Sequence, residues 1–383
     1  MSELARFFTE SRWSKRYGQP GVADFVAGNP QEPPLPEFVE AIQRWAVPRD
    51  NHWFAYKQSE PQARAAVVAA LQERRGVAFD LEDIHLTNGA FAGLALTIRV
   101  VADPGDEIVY VSPPWFFYEA LIRLAGCTPA RAVAEPPAFD LDPDALARAI
   151  TPRTRAVIVN SPNNPTGRVY SPETLKGVAE VLTAASERAG RPVWLISDES
   201  YCRIVFDGRT YASPTSFYPW SFLIYTYGKT LLTPGQRLGY VALPPDMPDR
   251  ESVRAALFAA QLGLGYPFPN AVLQYALGDL ERLSIDLPHL HAKRDRMVAG
   301  LREAGYELQS PEGTSYLLPR SPLPDDQAFT EWLGEEDVFV LPGAMVELPG
   351  YFRISLTAND EMIDAALPVF ARALDRAGAA TRS

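Results

Sequence analysis

Tyr225-Thr226-Tyr227-Gly228-Lys229-Thr230 follows the apolar run 221–225 and precedes Gln236-Arg237-Leu238-Gly239-Tyr240. A short, nearly unbroken apolar run reads as a buried strand, so Lys229 leaves a strand's carboxyl end among small and hydroxyl-bearing residues. That is a poor place for an ordinary solvated lysine. A lysine amine normally stays protonated up to about pH 10.4; burial or a neighbouring cation lowers that value and frees a lone pair that attacks carbonyls. A lysine so placed can hold an aldehyde cofactor as a Schiff base. On the hexapeptide alone, a surface lysine after a strand is the simpler reading.

Three other stretches reverse that judgement. Asn160-Ser161-Pro162-Asn163-Asn164-Pro165-Thr166-Gly167 follows the strand-like 155–159. Turn residues this dense make a rigid loop, from which Asn164 offers an amide to an aromatic hydroxyl or a carboxylate. Val193-Trp194-Leu195-Ile196-Ser197-Asp198-Glu199-Ser200-Tyr201 is a second buried strand that delivers two acids and a tyrosine at its end. An aspartate there keeps a pyridine nitrogen protonated, which makes the ring an electron sink; either acid is equally suited to cap the next helix. Phe352-Arg353-Ile354-Ser355-Leu356 sets an arginine inside a short strand. Its planar fork fits a carboxylate through two parallel hydrogen bonds, although an arginine on an exposed strand face is unremarkable.

With these motifs in this order, the sequence resembles the class I/II aminotransferases of the fold-type I pyridoxal-phosphate superfamily, from about Asp24 to the C-terminal helix. The resemblance implies that Lys229 holds pyridoxal 5'-phosphate and shuttles protons as the catalytic base. Asp198 stabilises the ring nitrogen, Tyr201 and Asn164 bind the ring oxygen, Arg237 and Thr226 hold the phosphate, and Arg353 grips the substrate carboxylate. It further implies a homodimer with active sites at the subunit interface. Tyr227 is bulkier than usual for the family and is read as shaping the pocket.

The remaining segments take their meaning from those motifs. Gly28, in Ala27-Gly28-Asn29-Pro30, would border the substrate carboxylate, though a plain turn glycine explains it nearly as well. Tyr56 would reach the neighbouring subunit's cofactor phosphate, but Ser59-Glu60-Pro61 replaces the family's glycine turn and the interval to Arg64 is short. Leu86-Thr87-Asn88-Gly89-Ala90-Phe91 joins a strand to a helix running to about 101. Exposed amides and the helix dipole there form an anion seat, making Gly89, Ala90 and Phe91 a phosphate cup. After Pro113-Pro114, Trp115 takes the position of a ring stacked on the cofactor, with Phe116 as the fallback and core packing as the plainer alternative. Trp13, Tyr17, Trp53 and Phe116 are candidates for an apolar substrate pocket or for dimer packing. The stretch 261–266 has no second arginine, which lowers the case for a dicarboxylate substrate.

Strand ends near 112, 160, 198 and 226 alternate with helices at about 115–125, 171–188 and 250–264. The pattern predicts an α/β fold with a mostly parallel sheet covered on both faces and ligands at the strands' carboxyl ends. The family has seven strands in this sheet, with 237–243 antiparallel. We assign residues 38–282 to a large cofactor-binding domain; residues 1–37 and 283–383 form a smaller α+β domain.

A net charge of −11 from 36 basic and 47 acidic residues offers no broad cationic surface to nucleic acid or anionic lipid. No run approaches the ~20 apolar residues of a membrane helix. Two cysteines, Cys127 and Cys202, make no disulfide framework and point to the cytoplasm. The four histidines form no metal-ligand pattern with them. The function read from all this is amino-group transfer between an L-amino acid and a 2-oxo acid. The alternatives are a carbon-heteroatom lyase or synthase of the same fold and a non-catalytic cofactor-binding regulator.

Overall fold

The computed structural model of the chain describes residues 2–380. Twelve strands are present: β1 Ala23–Asp24, β2 Ile84–Thr87, β3 Glu107–Ser112, β4 Thr128–Val133, β5 Thr154–Asn160 and β6 Trp194–Asp198. They continue with β7 Ser221–Thr226, β8 Gly239–Ala242, β9 Tyr316–Leu317, β10 Val338–Phe339, β11 Leu341–Pro342 and β12 Phe352–Ser355.

The seven-stranded sheet has the order β2-β8-β7-β6-β5-β3-β4. Strand β8 runs antiparallel to both β2 and β7, while the other pairs are parallel. Strand residues alternate between faces, and both faces are apolar. Ile108, Ile158, Ile196 and Ile224 pack against helices Gly89–Val101 and Arg250–Gly263. Their neighbours Val109, Val157 and Leu195 pack against helix Pro172–Ala189 on the opposite side. A third core, under β2, β7 and β8, is closed by helices Pro36–Ala46, Pro61–Arg75 and Ala271–Leu280.

A three-stranded sheet, β11-β12-β9, and the parallel pair β1-β10 form the rest. Phe352 and Ile354 of β12 share a core with Phe25, with helix Leu287–Ala304 and with the terminal helix Asp360–Ala380. The amino-terminal helix Ser2–Glu10 and its successor Arg12–Arg16 add an aromatic group, in which Trp13 stacks on Phe7 and meets Phe8 edge-on. Among the described residues no helix is long and apolar enough to cross a membrane. The carboxyl ends of β3, β5, β6 and β7 lie side by side in this order of strands, so whatever leaves them converges on one edge of the sheet.

Candidate active site

A cleft opens at that edge. Strand β6 ends in Asp198, whose carboxylate accepts from the Tyr118 hydroxyl (2.6 Å), the Ser200 hydroxyl (2.6 Å) and the Ser200 amide (3.2 Å). Burial pushes this carboxyl up; the hydrogen bonds from Ser200 and Tyr118 and the nearby Lys229 charge act against that rise. Two carboxylate oxygens hold about four acceptor positions, so one remains for a ligand N–H. Strand β5 ends in Asn160, which donates to the Asp198 carbonyl (2.8 Å) and accepts from the Asn164 amide (2.8 Å). This pair fixes the loop that carries Asn164 to the end of the neighbouring strand.

Strand β7 ends in Thr226, which caps the single helical turn Tyr227–Thr230 by accepting from the Gly228 amide (3.3 Å) and donates to the Leu238 carbonyl (3.2 Å). The turn puts Lys229 into the cleft, its amine 5.6 Å from the Tyr201 ring centroid. Tyr227 goes the other way. It is 1% exposed and its hydroxyl donates to the Glu281 carboxylate, so it belongs to the core beneath the turn and does not shape the pocket.

At one end of the cleft, Arg237 donates to the Pro234 and Asn88 carbonyls (2.7 and 3.2 Å), and no acid among the described residues compensates its charge. It lies over the start of helix Gly89–Val101: a Cβ on Gly89, whose φ is +78°, would come within 3.0 Å of the guanidinium. Backbone amides, helix dipole and guanidinium together make an anion cradle lined by Ala90 and Phe91. Gly239 allows the approach, because a Cβ there would meet the Gly89 backbone at 2.9 Å.

Arg353, 2% exposed, adjoins Asn164 of the cleft wall. It donates to Asn164 Oδ1 (3.0 Å) and the Val26 carbonyl (2.7 Å), while its Nε is buried with no partner. Burial lowers its basicity; the coulombic effects of Tyr316 and Tyr201 oppose that, and no carboxylate is among its partners. Arg237 therefore lines, and Arg353 adjoins through Asn164, a cleft containing one lysine and one aspartate.

Trp115 forms part of the cleft wall, edge-on to Phe91 at 5.0 Å, whereas Phe116 sits outside it near Phe8 at 6.1 Å and 5.7 Å from the Arg353 guanidinium. Gly28 is beside Lys229: a Cβ there would be 3.4 Å from Nζ. Tyr56 is fully exposed and away from this chain's cleft. Trp53 stacks on Tyr275 at 4.0 Å, remote from Trp13. Asn160, Tyr118, Ser200 and Tyr316 escaped the sequence reading although each touches the site; Asn160 and Ser200 flank singled-out residues, and Tyr118 and Tyr316 carry no local signal. Elsewhere Glu32, His289 and Asp360 come together, but the Lys293 ammonium already occupies Glu32 (2.9 Å) and Arg296 occupies Asp360 (2.6 Å).

The family model "aminotransferase class I and II" matches residues 20–370. The aspartate/prephenate aminotransferase of Thermus thermophilus is 29% identical over 367 residues, covering 92% of both chains. A probable N-succinyldiaminopimelate aminotransferase of Mycobacterium tuberculosis is 31% identical over 345 residues, 88% of this chain and 82% of that one. An amino transferase from Eubacterium rectale superposes with a TM-score of 0.90 at 29% identity, over 98% of each chain.

Proposed function

The chain belongs to the class I and II aminotransferases and is an enzyme of that activity, and from this premise we propose that it works with pyridoxal 5'-phosphate on Lys229, moving an amino group between an L-amino acid and a 2-oxo acid. The observation that carries the reading is a cleft that holds Lys229 and Asp198 with Arg237 in its lining and Arg353 adjoining it through Asn164, neither guanidinium paired with an acid among the described residues. A phosphate and an α-carboxylate are the two anions such a cleft would hold.

The residues fit the cofactor. Arg237 and the amides of Gly89, Ala90 and Phe91 would take the phosphate; the open acceptor position of Asp198 would take a protonated ring nitrogen; Tyr201 and Asn164 would face the ring oxygen; Trp115 would cover the ring. When bound, the cofactor supplies an aldehyde to which amines add and a ring that accepts the charge developing at the substrate's Cα. Lys229 Nζ takes the Cα proton and gives a proton back later in the cycle. Arg353 fixes the carboxylate, and with it the direction of the Cα–H bond. Asp198 would face the ring nitrogen, where burial in a poorly polarisable surrounding strengthens the attraction between a carboxylate and an N–H.

Fully exposed Tyr56 and its exposed neighbour Phe54 support a homodimer in which this loop meets the partner's site. Residues 38–282, which build the large sheet and its covering helices, are read as one domain; residues 1–37 with 283–383 are read as the second. The two free cysteines suit a reducing cytoplasm. The direct test is Lys229→Ala against wild type, each incubated with a panel of amino donors and a 2-oxo acid. Wild type is expected to absorb in the visible and form keto acid, and the variant to do neither. Keto acid formation retained by the variant would refute the role of Lys229. Ammonia release without an acceptor would favour the lyase.

A further inference from the structure

The chemistry above leaves one buried hydroxyl at the site unused. Tyr316 is 2% exposed on β9, which pairs with β12 so that Tyr316 stands opposite Ser355, two residues from Arg353. Its hydroxyl receives a hydrogen bond from Tyr201 (3.2 Å), and the Lys229 amine is near enough for its charge to act on it. The Arg353 guanidinium lies 4.2 Å from its ring centroid. Gly28 closes the group: a Cβ there would lie 2.5 Å from the Tyr316 oxygen as well as 3.4 Å from Nζ, so the missing side chain at 28 is what gives hydroxyl and amine a common space.

We propose that Tyr316 is the proton partner of Lys229, a positioning residue that holds the amine on the Gly28 side of the cleft and exchanges one proton with it. The inference rests on Lys229 being the reacting amine. In the exchange, with Tyr316 as the phenolate, an N–H bond of the ammonium breaks, the O–H bond of Tyr316 forms, and the electron pair left on Nζ is the one used for attack. No further acid or base is needed, because the proton returns by the same path.

The surroundings of the hydroxyl suit that task. Lys229 faces it from the turn after β7, Arg353 from β12 and Tyr201 from the segment after β6, with Asp198 behind Tyr201. Burial alone would raise a tyrosine, but the charges of Lys229 and Arg353 and the hydrogen bond from Tyr201 outweigh it and bring Tyr316 below the ordinary range. Tyr201 is pushed well up, burial being the main cause, and so remains the donor in the pair. A phenol whose acidity is drawn toward that of the neighbouring ammonium can lose its proton and, as phenolate, take one from the amine.

The test is an ultraviolet difference titration of the full-length chain freed of cofactor, in which tyrosinate formation is read directly. Wild type is expected to show one tyrosine ionising below the ordinary value of about 10. That signal should vanish in Tyr316→Phe, which keeps the ring against Arg353, and move up by about 1–3 pH units in Lys229→Ala, where Tyr316 itself is unaltered. In the cofactor-loaded enzyme Tyr316→Phe should lower kcat about 10- to 100-fold and leave KM nearly unchanged. Absence of the early tyrosine, a midpoint indifferent to Lys229→Ala, or an unchanged kcat in Tyr316→Phe would each overturn the proposal. Turnover retained by Lys229→Ala would instead bring down the reading of the lysine.

Discussion

Replacing Arg353 by lysine keeps the charge and removes the fork, which isolates what the guanidinium geometry contributes. In the present structure two of its nitrogens are committed, to Asn164 Oδ1 and the Val26 carbonyl, and Nε is buried without a partner. A substrate carboxylate entering the cleft would find a cation that no acid has neutralised. Lysine presents one nitrogen in place of three. It can keep one contact to the carboxylate or one to Asn164, but not two parallel bonds to both carboxylate oxygens. The loss of one charge-assisted bond amounts to about 1.5–3 kcal/mol, which at ~1.4 kcal/mol per decade is a fall of roughly 10- to 150-fold in kcat/KM. Steady-state kinetics with a varied amino donor measure it, and a simple amine lacking the carboxylate serves as the control, expected to change less than about threefold. If Arg353→Lys kept kcat/KM for amino acids within about threefold of wild type, the assignment of Arg353 to the carboxylate would be wrong.

Two further predictions concern stability. His85 on β2 is buried and neutral, its pKa lowered to about 3 by burial with Arg64 and Arg254 adding repulsion. An unfolded histidine takes up a proton near pH 6.5, so the stability held in neutral His85 is fully present above that value and is lost as pH falls toward 3, by at most ~1.4 kcal/mol per pH unit. Denaturant midpoints at pH 7 and pH 4 should differ less in His85→Leu than in wild type, and an equal difference would sink the argument. Glu347, at φ +59°, accepts from Arg131 (2.7 and 2.9 Å), Tyr110 (2.6 Å) and Ser112 (3.0 Å), and so ties the turn Gly343–Val346 to β3 and β4. Glu347→Gln should lower the unfolding free energy by about 1–3 kcal/mol, with the difference shrinking in high salt because Arg131 is half-exposed; a midpoint equal to wild type would show that the tie is idle.

The four strand ends that carry the site were legible because each strand is an apolar run, buried on both faces, that stops at a polar residue. The edge strand β4 was not: Thr128–Val133 contains Pro129, is mostly exposed or half-buried, and shows neither an apolar run nor strict alternation. The orientation of Tyr227 was misjudged for a geometric reason. In a helical turn two residues two positions apart point about 200° from one another, so a turn that aims Lys229 into the cleft must aim Tyr227 away from it. Tyr316 had no signal at all. It lies in Ser315-Tyr316-Leu317-Leu318, which reads as any short core strand, and only the folded chain brings it to Lys229.

That last contact bears on how the site is assembled. Lys229, Asp198, Asn164 and Arg237 all leave the seven-stranded sheet or the loops at its edge, whereas Arg353 and Tyr316 come from β12 and β9 and Gly28 from the segment after β1. Arg353 and Tyr316 are bound to one another by the β9-β12 pairing and by the guanidinium stacked on the ring, so they move as a unit. A displacement of the small sheet of about 1 Å would therefore change carboxylate binding and proton exchange at Lys229 together, while leaving the phosphate cradle and Asp198 untouched. Substitutions that loosen the Glu347 tie should then impair amino acid binding and turnover in parallel without weakening retention of the cofactor; a variant that lost cofactor first would mean that the cradle, too, depends on the small sheet.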